Sequence, residues 1–269
     1  MSATPRVPPV PAVLRLVQRS VLGRWRATAE ELYREIVQLT GLTDGQEAVV
    51  SGCGEGQTVE WLARRTGATI IGVDADAVRV RHAELRARQP YFHRGAFSFE
   101  HAPLDDLPHE SNVFDAAIGE PLLSTARDPA RAVAELARVT KPMGTVILLQ
   151  LTWTSDFPVE RRAPVIERLG LRPYLLVEWK QMLRDAGVVD LQVQDWSTGR
   201  DGEDGEAGEP LLTWQQKMHI VGRAWRRWGW REARGAVARE TELLRELSRE
   251  RALGFQLLRG VKWPREGAS

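Results

Sequence analysis

Between residues 47 and 196, short runs rich in β-branched and apolar residues alternate with amphipathic stretches, and few folds accept that alternation. EAVVS (47–51), ATIIGV (68–73), FSFEH (97–101), FDAAIG (114–119), TVILLQLTW (145–153) and VVDLQVQDW (188–196) read as strands. Residues 58–66, 75–88, 129–139 and 174–186 read as helices; in the third, Ala132, Val133, Leu136 and Val139 share one side. Strands alternating with helices of this length build βαβ units around a parallel sheet. Right-handed crossovers then place helices on both faces. Ligands bind such a sheet in the crevice beyond the carboxyl ends of its strands.

The first strand runs into SGCGEG, residues 51–56, at that edge. Gly52, Gly54 and Gly56 allow a ligand close to bare backbone, and the helix that follows presents free N–H groups to an anion or carboxylate. Such triplets also occur in ordinary turns. Here a second element accompanies it: Asp74, 18 residues after Gly56, closes the next strand, where a carboxylate can accept both ribose hydroxyls. Ala75 and Leu104 are candidates for the apolar wall of a base. A dinucleotide site places its acid similarly, but the order G-C-G-E-G lacks the G-x-G-x-x-G spacing.

SGCGEG, GVDAD, LDDLPHESNVFDAAIGEP and DPARAVAELARVTKPMGTVILLQ, in this order, resemble class I S-adenosylmethionine-dependent methyltransferases. The branch they are most similar to is that of the ubiquinone and menaquinone biosynthesis methyltransferases. The resemblance covers residues 47–153, with the fold continuing to residue 196. It implies a Rossmann-like α/β fold, with a seven-stranded sheet whose last strand is reversed and helices on both faces. It also implies the cofactor S-adenosyl-L-methionine. Ser51, Gly52, Cys53, Gly54 and Gly56 would hold its methionine part, and Asp74 its ribose, with Ala75 beside the base. Pro103, Leu104 and Asp105 would flank the adenine; Gly119, Glu120 and Pro121 would face the methyl group.

Three positions depart from the family pattern. Val50 stands where an acid near the methionine ammonium is expected, Pro103 where many members carry Asp, and KPMG replaces KPGG. Loss of a charge-assisted contact costs about 1.5–3 kcal/mol. Glu120, at the end of the fourth strand, is the candidate replacement and also the first candidate for a catalytic base; Glu55 is a second candidate for the ammonium. The plain alternatives are a solvated Glu120 at the rim and a helix-capping Glu55. With Asp74 carrying the binding, Asp74→Ala is expected to abolish it, and Val50→Asp to leave it intact or strengthen it.

The remainder reads as a cap. Residues 13–40 carry an apolar repeat through Leu14, Val17, Val21, Trp25, Leu32 and Ile36. The run RDGEDGEAGEP (200–210) reads as a flexible surface loop. After it, Trp214, Met218, Val221, Trp225 and Trp228 form one helical stripe, with Arg223, Arg227, Arg231 and Arg234 on another face. GFQLLRGVKWP, from Gly254, reads as the final strand. The chain therefore divides into N-terminal helices (1–45), a methyltransferase core (46–196 plus 254–264) and a helical insertion (197–253) that emerges at the ligand edge. The Trp stripe packs the cap against the core, or lends one or two rings to a pocket for a flat apolar substrate or a cation. His219, beside that stripe, is the second candidate for a catalytic residue.

Several classes are set aside. The one cysteine, Cys53, permits neither an internal disulfide nor a thiolate zinc site, and no pair among the five histidines has metal-ligand spacing. A single cysteine fits a reducing cytoplasm, and the proline-broken N-terminal stretch is not a signal peptide. No apolar run reaches the ~18 residues of a membrane span. A net charge of +1 exerts no global pull on nucleic acid, and the acidic run at 201–209 argues against an RNA surface on the basic cap helix. The expected activity is methyl transfer to a small-molecule acceptor held under the Trp- and Arg-rich cap. The alternatives are a non-catalytic cofactor-binding relative, a sensor or scaffold, and an RNA methyltransferase that uses the basic face.

Overall fold

The computed structural model describes residues 29–88, 95–196 and 252–264, together with Gly235, Ala238, Glu242, Leu247 and Glu250. One eight-stranded sheet organises them. Its strands are β1 (Glu47–Ser51), β2 (Thr69–Asp74), β3 (Phe97–His101), β4 (Phe114–Gly119), β5 (Thr140–Trp153), the short β6 (Tyr174–Leu175), β7 (Val188–Asp195) and β8 (Leu253–Lys262). The helices are α1 (Ala29–Thr40), α2 (Gln57–Thr66), α3 (Ala77–Ala87), α4 (Pro129–Val139), α5 (Val159–Leu169) and α6 (Leu176–Asp185), with a 3-10 turn at Pro121–Thr125.

The order across the sheet is β3-β2-β1-β4-β5-β8-β7, with β6 beside β5. β1 to β5 pair in parallel, and β8 lies antiparallel between β5 and β7. The expected reversed last strand is therefore present. Strand order reverses at β1 and β4, whose carboxyl ends open the crevice between diverging crossovers. Both strands are almost wholly buried, as continuous apolar runs covered on both faces should be.

Local chemistry sets the helix starts. Asp76 caps α3 by accepting from Val78 N and Arg79 N, and Asp128 caps α4 by accepting from Arg131 N, with Pro129 next in line. Gly56 and Gly67 bracket α2 in left-handed backbone, at φ 76° and 81°. On one sheet face α1 and α2 bury Leu32, Tyr33, Ile36, Val59 and Leu62; on the other α4 and α6 bury Val133, Leu136, Trp179 and Leu183.

Two elements differ from the sequence reading. Residues 159–169 form α5, which reads poorly as a helix because Pro164 lies inside it. β5 starts at Thr140 and takes in KPMG, with a register shift opposite Phe114 and Ala116. Met143 there has φ 65°, a left-handed backbone that suits glycine better.

Residues 196–252 form the connection between β7 and β8. Gly235, Ala238, Glu242 and Leu247 in it are helical, and Leu247 and Ala252 are buried in the first core cluster. The return leg meets the loop after β5, where Thr154 N and Oγ1 both donate to Ala252 O, at 3.1 and 3.3 Å. Arg161 of α5 pairs with Glu250 at 3.0 Å. This connection thus returns at the carboxyl end of β5, where Leu253 pairs with Trp153. The Trp stripe from Trp214 to Trp228, its arginines and His219 lie outside the described residues.

Candidate cofactor and acceptor site

The glycine loop folds back over the end of β2. Gly52 N and Cys53 N both donate to Val73 O, at 2.8 and 3.1 Å, and Gly56 N closes the turn on Cys53 O at 2.9 Å. All three glycines have positive φ, for different reasons. A Cβ on Gly52 would meet the backbone nitrogen of Leu123 at 2.9 Å, and one on Gly56 would strike the Phe99 ring at 2.2 Å. A Cβ on Gly54 would find only Leu122 Cδ1, at 3.4 Å. Gly52 and Gly56 therefore serve packing, whereas Gly54 keeps a space clear.

Asp74 joins this loop to the second strand. Its Oδ2 accepts from Gly54 N and its Oδ1 from Asp76 N, each at 2.9 Å. Arg79, one turn into α3, adds Nε at 2.9 Å and Nη2 at 2.8 Å to Oδ1. Around it the rim is uneven: Ala75 and Pro103 are exposed, whereas Leu104 is buried in the core and Asp105 is nearly so. The exposed apolar surface available to a base is thus that of Ala75 and Pro103. Asp105 Oδ2 lies 3.4 Å from Arg127 Nε.

Glu120 is not at a solvated rim; it is only 2% exposed. Its carboxylate accepts from the Thr58 hydroxyl in the first turn of α2, where helix N–H groups favour negative charge. Its backbone N–H donates to Ser51 O at 2.9 Å. Gln150, from β5, donates Nε2 to Gly119 O and Glu120 O, at 3.2 and 2.9 Å, so this amide holds the end of β4. Val50 is fully buried and paired in register with Ile118. Because side chains alternate along a strand, Glu120, two residues on, shares the sheet face of Val50. A buried carboxylate thus stands just past the end of β4, on the face where β1 carries Val50.

Cys53 reports the electrostatics of the pocket. Burial chiefly, and then the Asp74 and Glu120 carboxylates, push its thiol far above the usual cysteine range. Glu55 sits at the loop's outer side, 3.7 Å from His82 Nδ1, and His101 Nε2 lies 3.3 Å from Ala75 O. Among the described residues no cluster of His, Cys, Asp and Glu could hold a metal ion, and no helix is long and apolar enough to cross a membrane.

Three residues of this site escape sequence reasoning: Thr58, Arg79 and Gln150. Gln150 left a signal, as a single amide inside the apolar run TVILLQLTW. Thr58 and Arg79 left none, since a Thr in a first helical turn and an Arg on a half-buried helix are ordinary.

A family model for a methyltransferase domain matches residues 49–148. Over 167 residues the chain is 30% identical to the 2-phytyl-1,4-naphtoquinone methyltransferase of Trichormus variabilis, covering 56% of this chain and 71% of that protein. The chain belongs to the S-adenosylmethionine-dependent methyltransferases. It is also 33% identical over 185 residues to the chloroplastic tocopherol O-methyltransferase of Arabidopsis thaliana, covering 62% of this chain and 52% of that one. The geranyl diphosphate C-methyltransferase of Streptomyces coelicolor A3(2) shares the fold, with a TM-score of 0.65 and 14% identity over 87% of this chain and 76% of that structure.

The methyltransferase cofactor fits the residues present. Gly54 leaves a cradle that any Cβ would narrow, Asp74 closes it from the β2 side, and Ser51 Oγ is buried with no hydrogen-bond partner among the described residues.

Proposed function

We propose that this methyltransferase acts on a small acceptor held at the carboxyl edge of the sheet, under the chain between β7 and β8 together with the N-terminal segment. The return leg of that chain, hydrogen-bonded to the loop after β5, supports this placement. Beside it Trp153 and Phe157 stack at 5.1 Å, with Arg162 over the Trp153 ring. Both rings are buried in the first core cluster, so that edge of the sheet is backed by an aromatic wall with a cation beside it, which suits a flat ring. The named relatives act on a phytylated naphthoquinone and on tocopherol, so the acceptor class proposed here is a flat ring bearing an apolar chain.

Gly54 clears the space for the amino-acid part of the cofactor, on a loop that Gly52, Cys53 and Gly56 shape; Asp74 takes its ribose, and Ala75 and Pro103 flank the base, backed by the buried Leu104 and Asp105. Gly119 and Pro121 shape the wall on the methyl side. The bound cofactor supplies an electrophilic methyl group. The chain's own task is to hold the acceptor in line and to exclude water.

Glu120 takes the ammonium contact that Val50 cannot make. One observation carries this assignment: the Glu120 carboxylate is buried against Thr58 on the sheet face of Val50. So buried, it acts first as a fixed negative charge. It holds a proton from the acceptor only where that acceptor is a hydroxyl or amine that reaches it. His219 keeps its place as the second base candidate, and lies outside the described residues. The single buried cysteine suits work in a reducing compartment such as the cytoplasm.

The test is calorimetry of the full chain with S-adenosylmethionine and S-adenosylhomocysteine, followed by mass detection of methylated product from reduced naphthoquinones and chromanols. Binding with methylation of a ring acceptor is the expected outcome. Absence of cofactor binding at millimolar concentration would overturn the reading. Salt-dependent binding to RNA, lost on substitution of Arg223, Arg226 and Arg227, would redirect the acceptor to nucleic acid.

A further inference from the structure

Asp74 is crowded. Four N–H donors converge on its carboxylate: Gly54 N, Asp76 N, and Nε and Nη2 of Arg79. A carboxylate offers about four acceptor positions. Its side chain is completely shielded from solvent. A ribose brings two further O–H donors to the same group. Three of the four donors crowd Oδ1 and one sits on Oδ2, so a diol that uses both oxygens reaches Oδ1 only when a donor leaves it.

The donors differ in what they can do. Gly54 N belongs to the glycine loop, which is tied to Val73 O, and Asp76 N to the turn that caps α3. Moving either one dismantles the cradle. Arg79 is instead a long side chain, 18% exposed. It also has a second carboxylate at hand, with Nη1 3.6 Å from Asp76 Oδ2, and Asp76 is itself partly exposed.

We infer that Arg79 is a stand-in for the ribose diol: it occupies Asp74 in the ligand-free protein and withdraws to Asp76 when a nucleoside enters. The inference rests on the placement of the ribose at Asp74 proposed above. In the ligand-free chain the guanidinium compensates a buried charge that would otherwise be unpaired. On binding, the diol's two hydroxyls replace two charged donors on the carboxylate, and Arg79 keeps a partner nearer solvent. The exchange lowers apparent affinity by the fraction of molecules in which Arg79 has not withdrawn. Arg79 is thus a positioning residue that sets nucleoside affinity through Asp74.

The experiment compares wild type, Arg79→Met and Arg79→Lys by calorimetry and thermal denaturation, with S-adenosylhomocysteine and with adenosine as probes. Arg79→Met is expected to bind both probes roughly tenfold more tightly, because the competing state is gone. Its ligand-free Tm should fall, and its ligand-induced rise in Tm should grow. Arg79→Lys, which keeps a cation but not the fork, should lie between. Equal or weaker binding by Arg79→Met, with Arg79→Lys following it, would overturn the inference and place Arg79 in the binding face. Asp74→Ala separates the two levels. If that variant binds adenosine normally, the ribose is not at Asp74 and the site itself is misplaced, whatever Arg79 does.

Discussion

Replacing Glu120 by Gln tests whether the ammonium contact has moved from β1 to β4. The amide keeps the shape of the side chain and still offers an oxygen to the Thr58 hydroxyl. The negative charge is lost. A hydrogen bond to a charged group is worth about 1.5–3 kcal/mol, so S-adenosylhomocysteine should bind roughly 10- to 150-fold more weakly. 5′-Methylthioadenosine lacks the amino-acid part and should bind the variant as it binds wild type. Stability should hold or rise, since a buried charge has been removed. Calorimetry with the two ligands on one preparation measures the difference directly. Equal losses for both ligands, or none for S-adenosylhomocysteine, would refute the assignment. Val50 supplies the complementary perturbation. Val50→Asp alone places a second carboxylate on the face that already holds Glu120, deep in an apolar cluster. Two such groups resist ionising together, so this variant should be destabilised, whatever its effect on cofactor binding. Val50→Asp combined with Glu120→Gln returns one charge to that face and should recover part of the affinity.

Three further outcomes follow from the same geometry. Gly54→Ala should keep a folded protein, destabilised by about 1 kcal/mol in denaturant titration for its left-handed backbone, yet lose cofactor binding, whereas Gly52→Ala collides with Leu123 backbone and should fail to accumulate as folded protein. Met143→Gly should raise stability by up to about 1 kcal/mol, because Met143 is exposed and left-handed; a fall in Tm would contradict this. Glu135, which the Arg138 hydrogen bond holds below the usual carboxylate range, contributes stability that is complete above about pH 4.3 and lost as pH falls through its lower folded-state value. Glu135→Gln should therefore flatten the acid limb of a Tm-against-pH profile while leaving activity near neutrality intact.

Much of the scaffold was legible because it depends on short-range pattern. Short, mostly apolar runs bounded by turn residues, such as FDAAIG and TVILLQLTW, read as strands covered on both faces, and the left-handed turns of SGCGEG admit little besides glycine. The position of Asp74 followed from the end of its strand. α5 was missed because Pro164 breaks the helical signal; it stands in mid-helix and forgoes the backbone hydrogen bond its position would otherwise make. What no pattern carried was which groups meet across the sheet. Residues 58 and 120 lie 62 positions apart, and 120 and 150 lie 30 apart; only register and crossover bring Thr58, Glu120 and Gln150 together. The same holds for Arg79 on Asp74. The sequence alone determined a doubly wound sheet, a glycine cradle and an acid beside it, because backbone sterics and hydrophobic periodicity act over a few residues. Tertiary structure decided where the second acid stands and what covers the first, because buried charges are satisfied by whatever the packing of distant strands places within hydrogen-bond reach.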